Sequence, residues 1–138
     1  MPQTTNTSVV QLAGRILMST IFIFAGLGKL AAYSQTVGYA TAKGLPMASV
    51  GIAIAILIEL LGGLAILLGF ETRIAAWVLF LYLIPVSLTF HNFWTMSGME
   101  RMDNQIHFLK NVAIMGGFLI LASSGPGKLS VDGSRGKA

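Results

Sequence analysis

The chain has no cysteine. That absence removes disulfides, thiolate nucleophiles, thiolate-held iron–sulfur clusters and cysteine zinc sites from its repertoire. Charge is scarce as well: Asp, Glu, Lys and Arg make up 10% of its 138 residues, against about 25% in an ordinary soluble domain. So little charge cannot coat a globule, which points to lipid as the solvent. Acidic residues are the scarcer sign, five against nine basic, for a net charge of +4. The basic residues form no cluster. That argues against nucleic acid as a partner and for cations flanking membrane segments.

What the chain has instead is apolar length. It is 54% hydrophobic, with a mean hydropathy of +0.76. Four runs stand out, at about 11–31, 48–70, 74–90 and 105–122. About 20 residues of helix cross a hydrocarbon core of about 30 Å. Barrel strands would be shorter and would alternate in polarity, so helices are the expected element. The predicted fold is all-α: one integral membrane domain over 11–122, built as a four-helix bundle. Residues 1–10 read as a flexible N-terminal segment, and 123–138 as a flexible cytoplasmic tail with little capacity to bury itself. No basic region precedes the first run and Arg15 interrupts its start, so that run reads as a retained span rather than a cleaved signal. Arg15 and Lys29 stand near its two ends, where long side chains snorkel toward the interfaces.

Orientation follows from the Lys and Arg positions. Arg15, Arg73, Lys128, Arg135 and Lys137 fall on the side of the termini; Lys29, Lys43 and Arg101 fall on the other. The excess predicts both termini in the cytoplasm.

Glu59 is the residue that most needs an explanation. It is the one charge in the run from Met47 to Phe70. An unpaired carboxylate at mid-bilayer costs roughly 2.5–3.5 kcal/mol on insertion scales. The expected partner is Lys110, inside the fourth span. His107, Lys110 and Asn111 share a helical face, which Ala113 and Gly117 extend. Ala55, Glu59, Gly62 and Gly63 form a similar stripe on the second span, and small residues let membrane helices approach closely. The second and fourth spans run in the same direction, so the two stripes are expected to pack together. The pair reads either as a proton-handling or ligand-binding device, or as a structural ion pair that fixes helix register.

Lys29, His91 and Asn92 fall at the same outer level as His107 and Asn111, predicting a polar cavity that opens outward and reaches the midplane. His91 and His107 have no supporting cysteine or carboxylate pattern for a metal, so no metal site is expected. They read as interfacial hydrogen-bonding groups, or as donors to a quinone carbonyl in an apolar cleft. Phe93 and Trp94 read as an interfacial aromatic belt, with stacking on a quinone ring as the alternative.

These pieces together resemble the DoxX family of small membrane proteins. The resemblance is carried by Arg15 with the IFIFAGLGKL stretch that holds Lys29, by Gly44-Leu45-Pro46, and by ELLGGLAILLGFETR at 59–73. HNFW at 91–94 and QIHFLKNVAIMGGFLIL at 105–121 complete it. It covers about residues 11–129, and Arg15, Lys29, Glu59, Arg73, Lys110 and Asn111 match the family's polar pattern. The resemblance implies a four-helix inner-membrane protein linked to respiratory redox chemistry. Members of that family are named as subunits of a thiosulfate:quinone oxidoreductase or a terminal quinol oxidase, or as membrane partners of redox-defence enzymes. The expected role is an accessory membrane subunit, at most the membrane part of a quinone oxidoreductase complex. It would hold no intrinsic cofactor and would bind a quinone and a redox protein partner, with homo-oligomers also open. Glu59 and Lys110 would carry the chemistry, and Lys29, His91, Asn92, His107 and Asn111 would line the quinone site. A non-enzymatic scaffold or assembly factor is the competing reading, and a small transporter the third.

Overall fold

The computed structural model describes residues 5–138. Its elements in order are α1 (Thr5–Ala31), α2 (Tyr33–Ala42), α3 (Ala48–Leu68), α4 (Thr72–Phe90), a 3-10 turn (Phe93–Thr95), α5 (Gly98–Ser124) and α6 (Val131–Ser134). The described residues form no strand. Helices α1, α3, α4 and α5 are long and apolar enough to cross a membrane. A helix pairs every backbone donor and acceptor inside its own segment, which apolar sequences in lipid require.

Consecutive spans pack side by side: α1 on α3, α3 on α4, α4 on α5. Short connections dictate this order in an up-and-down bundle. Phe22 of α1, Ile66 of α3, Leu79 and Leu83 of α4, and Phe118 and Leu121 of α5 form the shared core. The Phe22 and Phe118 rings meet at 5.4 Å, bringing α1 and α5 together.

The expected packing of the second span on the fourth is corrected by this arrangement. The α3 glycines serve its sequence neighbours instead. A Cβ on Gly63 would stand 2.9 Å from Ile23 of α1, and one on Gly62 would stand 3.0 Å from Leu79 of α4. Helices running in the same direction occupy diagonal corners of such a bundle, so α3 and α5 are not packed neighbours.

Two boundaries also move. Helix α1 already includes residues 5–10, with Ser8 buried, so that stretch is not a loose segment; residues 1–4 lie outside the described residues. The 32–47 connection contains α2. It is tied to the bundle by the Tyr33 hydroxyl donating to Ser49 O at 2.6 Å and by Tyr39 stacked on Phe90 at 5.9 Å.

The largest correction is at the C-terminus. Residues 123–138, expected as a flexible tail, fold under the bundle. Asp132 is 4% exposed. Its carboxylate accepts from Glu71 N at 2.9 Å, Thr72 N at 2.8 Å and Thr72 Oγ1 at 2.8 Å. It thereby caps α4, whose own N-cap residue, Glu71, makes no side-chain cap bond. Free N–H groups and the positive end of the helix dipole both favour a carboxylate there.

Arg15, 1% exposed, does not snorkel outward. Its guanidinium donates to Ile66 O at 3.2 Å and Leu67 O at 2.8 Å, at the end of α3, and to Leu129 O. Arg73 does the same for the end of α5, donating to Ala122 O and to Ser123 O at 2.8 Å. Gly69 closes α3 at φ +67° in a space where a Cβ would lie 2.3 Å from Ser130. Only glycine fits both that conformation and that gap.

Candidate functional site

Glu59 stands halfway along α3 and is buried, its side chain 6% exposed. Its partner is Lys29. Lys29 Nζ donates to both carboxylate oxygens, Oε1 and Oε2, at 3.0 Å each. The Tyr82 hydroxyl donates to Oε1 at 2.6 Å. Three helices thus converge on one carboxylate, and charge-assisted bonds of this kind are the strong ones.

Lys110, expected as the partner, lies on the exposed surface of α5. The correction has a geometric cause. Helix α1 runs antiparallel to α3 against its small-residue face, so a lysine near the end of α1 reaches back along the groove to mid-depth.

Above this cluster is a cavity of about 320 Å³, lined by Lys29, Tyr39, Ile52, Ala55, Tyr82, Pro85, Phe90 and His91 among others. Most of that lining is apolar. The polar atoms are few and their roles can be worked out. An ammonium has three N–H donors. Two of those on Lys29 face Glu59, so one remains for the cavity. The Tyr82 oxygen gives its proton to Glu59 and keeps lone pairs that can accept.

His91 is oriented by Asn104. The Asn104 amide nitrogen donates to Glu100 O at 3.0 Å, which turns its Oδ1 toward His91 Nδ1 at 3.1 Å. Nδ1 therefore carries the proton, and Nε2 is left as an acceptor in the neutral ring.

A second, smaller cavity of about 110 Å³ lies on the other side of the cluster. Glu59, Tyr82, His91 and Asn111 line it, together with apolar residues of α1, α4 and α5. Tyr82 and His91 therefore border both spaces.

The remaining expected residues divide. Asn111 donates to Ser87 Oγ at 3.0 Å and belongs to the smaller cavity. His107 is exposed and stacks on His91 with ring centroids 5.1 Å apart. Asn92 turns to Thr95, donating from Nδ2 to Oγ1 at 3.1 Å, and lines neither cavity. Sequence reasoning missed Tyr82. The available signal was its depth: tyrosines favour the interfaces, and Tyr82 falls in mid-span.

Fold and site together define a polytopic helical membrane protein with a buried charged cluster beneath an apolar cavity. The chain belongs to the DoxX family, whose model matches residues 10–92. That match takes in Lys29, Glu59, Tyr82 and His91. The inner membrane protein YphA of Escherichia coli K12 is 38% identical over 124 residues, spanning 90% of this chain and 89% of that protein. The inner membrane protein YqjF of the same organism is 41% identical over 121 residues, 88% of each chain. A more partial likeness is to the ER-derived vesicles protein ERV29 of Saccharomyces cerevisiae, 30% identical over 77 residues, 56% of this chain and 25% of that one. No solved structure matches.

Proposed function

We propose that this DoxX protein binds a quinone-type ring in the larger cavity and acts as an accessory membrane subunit of a quinone-linked redox system. It would sit in the inner membrane with both termini cytoplasmic. The observation that carries the reading is the spare Lys29 N–H in the wall of a mostly apolar space of about 320 Å³. Ligand pockets run from about 300 to 1,000 Å³ and pair apolar walls with a few placed polar groups. A quinone carbonyl accepts from Lys29; the hydroxyl of the reduced ring donates to Tyr82 or to His91 Nε2.

When bound, the quinone supplies the electron-carrying chemistry, and a protein partner supplies the electrons. The chain's own residues orient the ring, exclude water through the apolar walls, and fix Lys29 in place through its two hydrogen bonds to Glu59. Lys29 and Tyr82 here take the place expected for Lys110.

The test is saturable binding of a short-chain ubiquinone analogue to the purified protein in nanodiscs. Lys29→Met is expected to weaken binding by roughly tenfold, the loss of about 1.4 kcal/mol, and Lys110→Met to leave it unchanged. Equal binding by wild type and Lys29→Met, or no binding at all, rejects the site.

One observation favours a scaffold instead: the Lys29–Glu59–Tyr82 network joins α1, α3 and α4 with every carboxylate contact internal. If Lys29→Met/Glu59→Leu sustains the same level of a partner complex in cells as wild type, and no quinone binds, that reading replaces the first.

A further inference from the structure

The two cavities that meet at Glu59 differ in chemistry. The larger is bordered by Lys29 and Tyr82, both hydrogen-bonded to the carboxylate, and Glu59 is not in its wall. The smaller has Glu59 itself in its wall, with Tyr82, His91 and Asn111. A molecule of water occupies about 30 Å³ of liquid and is retained where two to four polar partners surround it. About 110 Å³ is therefore room for a few waters. The carboxylate, the Tyr82 hydroxyl, the His91 ring and the Asn111 amide are their partners. His91, in the cavity wall, stacks on the exposed His107 with ring centroids 5.1 Å apart.

We propose that the smaller cavity is a hydrated proton-access chamber for Glu59, distinct from the larger cavity on the other side of the cluster, with Asn111 and His91 as its polar anchors. A proton arriving from bulk water forms the O–H bond on a Glu59 carboxylate oxygen, and the same path returns it. Protonation removes the negative member of the Lys29–Glu59 pair and leaves the ammonium to act on whatever fills the larger cavity.

The groups facing Glu59 set the balance. Lys29 from α1 forms an ion pair with the carboxylate at 3.0 Å. Tyr82 from α4 stabilises it by hydrogen bonding. His91 of α4 lies in the same cavity wall, with His107 stacked on it. Lys110 of α5 and Lys43 beyond α2 add positive charge at the same outer end, both acting on His91. The chamber rests on the proposed function only for its purpose; its existence is independent of any quinone.

The test uses the full-length protein in nanodiscs. The infrared carbonyl band of protonated Glu59 is followed after an acid pH jump and identified by its loss in Glu59→Gln. Asn111→Leu removes a polar anchor and fills space. Ala25→Leu, on α1 in the same cavity wall, fills it without touching a polar group. Each is expected to slow the appearance of the band by roughly tenfold, a barrier increase of about 1.4 kcal/mol. Ala55→Leu, which fills the larger cavity, is expected to leave the rate unchanged. Unslowed protonation in both cavity variants that retain the helical spectrum overturns the proposal. So does equal slowing by Ala55→Leu, or a Glu59 band that never appears. Quinone binding is measured on the same samples: a chamber that behaves as expected in a protein that binds no quinone removes only the functional reading.

Discussion

The base of the bundle and its mid-membrane cluster both join helices through buried charge, and they do it in opposite ways. At the base, Arg15 and Arg73 are committed to main-chain carbonyls, and Asp132 to two main-chain N–H groups and the Thr72 hydroxyl. They neutralise the loose ends of α3, α5 and α4 with carbonyl and N–H partners fixed by the helices themselves. None of these three side chains lines either cavity at the mid-depth cluster. At mid-depth, Lys29, Glu59 and Tyr82 bind one another through side chains, and two cavities open on them. A charge matched to helix termini is complete when the fold is complete. A charge matched to another side chain can exchange that partner for a ligand or a proton. The first arrangement therefore reads as architecture and the second as function, and the difference can be broken experimentally.

The largest effect is expected at Arg15. Arg15→Met leaves carbonyls at the end of α3 and Leu129 O without their donor, and hydrogen bonds to charged groups contribute about 1.5–3 kcal/mol each. We expect a loss of about 3 kcal/mol or more in unfolding free energy, read by denaturant titration of helicity in mixed micelles. Quinone affinity of the remaining folded protein should be unaltered.

Lys29→Met comes next. It strands Glu59 in an apolar interior, at a penalty of roughly 2.5–3.5 kcal/mol on insertion scales. The double variant Lys29→Met/Glu59→Leu should regain most of that stability, because paired removal leaves no orphan charge. It should not regain quinone binding. Recovery of both by the double variant would erase the distinction between the two regions.

Asp132 gives the base a pH signature. Burial pushes its carboxyl upward, but the hydrogen bonds from Thr72 N, Thr72 Oγ1 and Glu71 N, with Lys137 nearby, outweigh that and hold it below the usual 3.8. A depressed folded-state pKa means that the stabilisation is present above the unfolded value and is lost as pH falls through the folded one. Wild type should lose stability below about pH 4, whereas Asp132→Asn should be weaker at neutral pH and show less of that loss. Unfolding transitions at neutral and acid pH for both proteins decide it.

Tyr82→Phe should have a smaller effect, about 1.5–3 kcal/mol for one hydrogen bond to a charged group, with a several-fold loss of quinone affinity. Lys110→Met, smallest of all, should alter neither stability nor binding, since that side chain is exposed. A Lys110→Met protein that loses binding would return the site to the outer end of α5.

The sequence alone was enough to establish helices, four spans and the importance of Glu59. Those follow from run length, scarcity of charge and the energetic penalty of one carboxylate in lipid, all of which are local. It pointed to Lys29 as a site residue but not as the partner. The choice between Lys29 and Lys110 depends on how α1 and α5 are rotated about their axes, and these spans have apolar residues on every side to a degree that leaves rotation open. Tyr82 was missed because one tyrosine in an apolar run gives no direction. The folded C-terminus was illegible for another reason. A Gly- and Ser-rich stretch has little to bury, and it is held by Asp132 capping a helix 60 residues earlier. Composition decided what kind of protein this is, because lipid enforces helices whatever their neighbours. Only the tertiary structure decided which charges meet, because a hydrogen bond needs two groups within about 3 Å and that distance is set by packing between segments far apart in the chain.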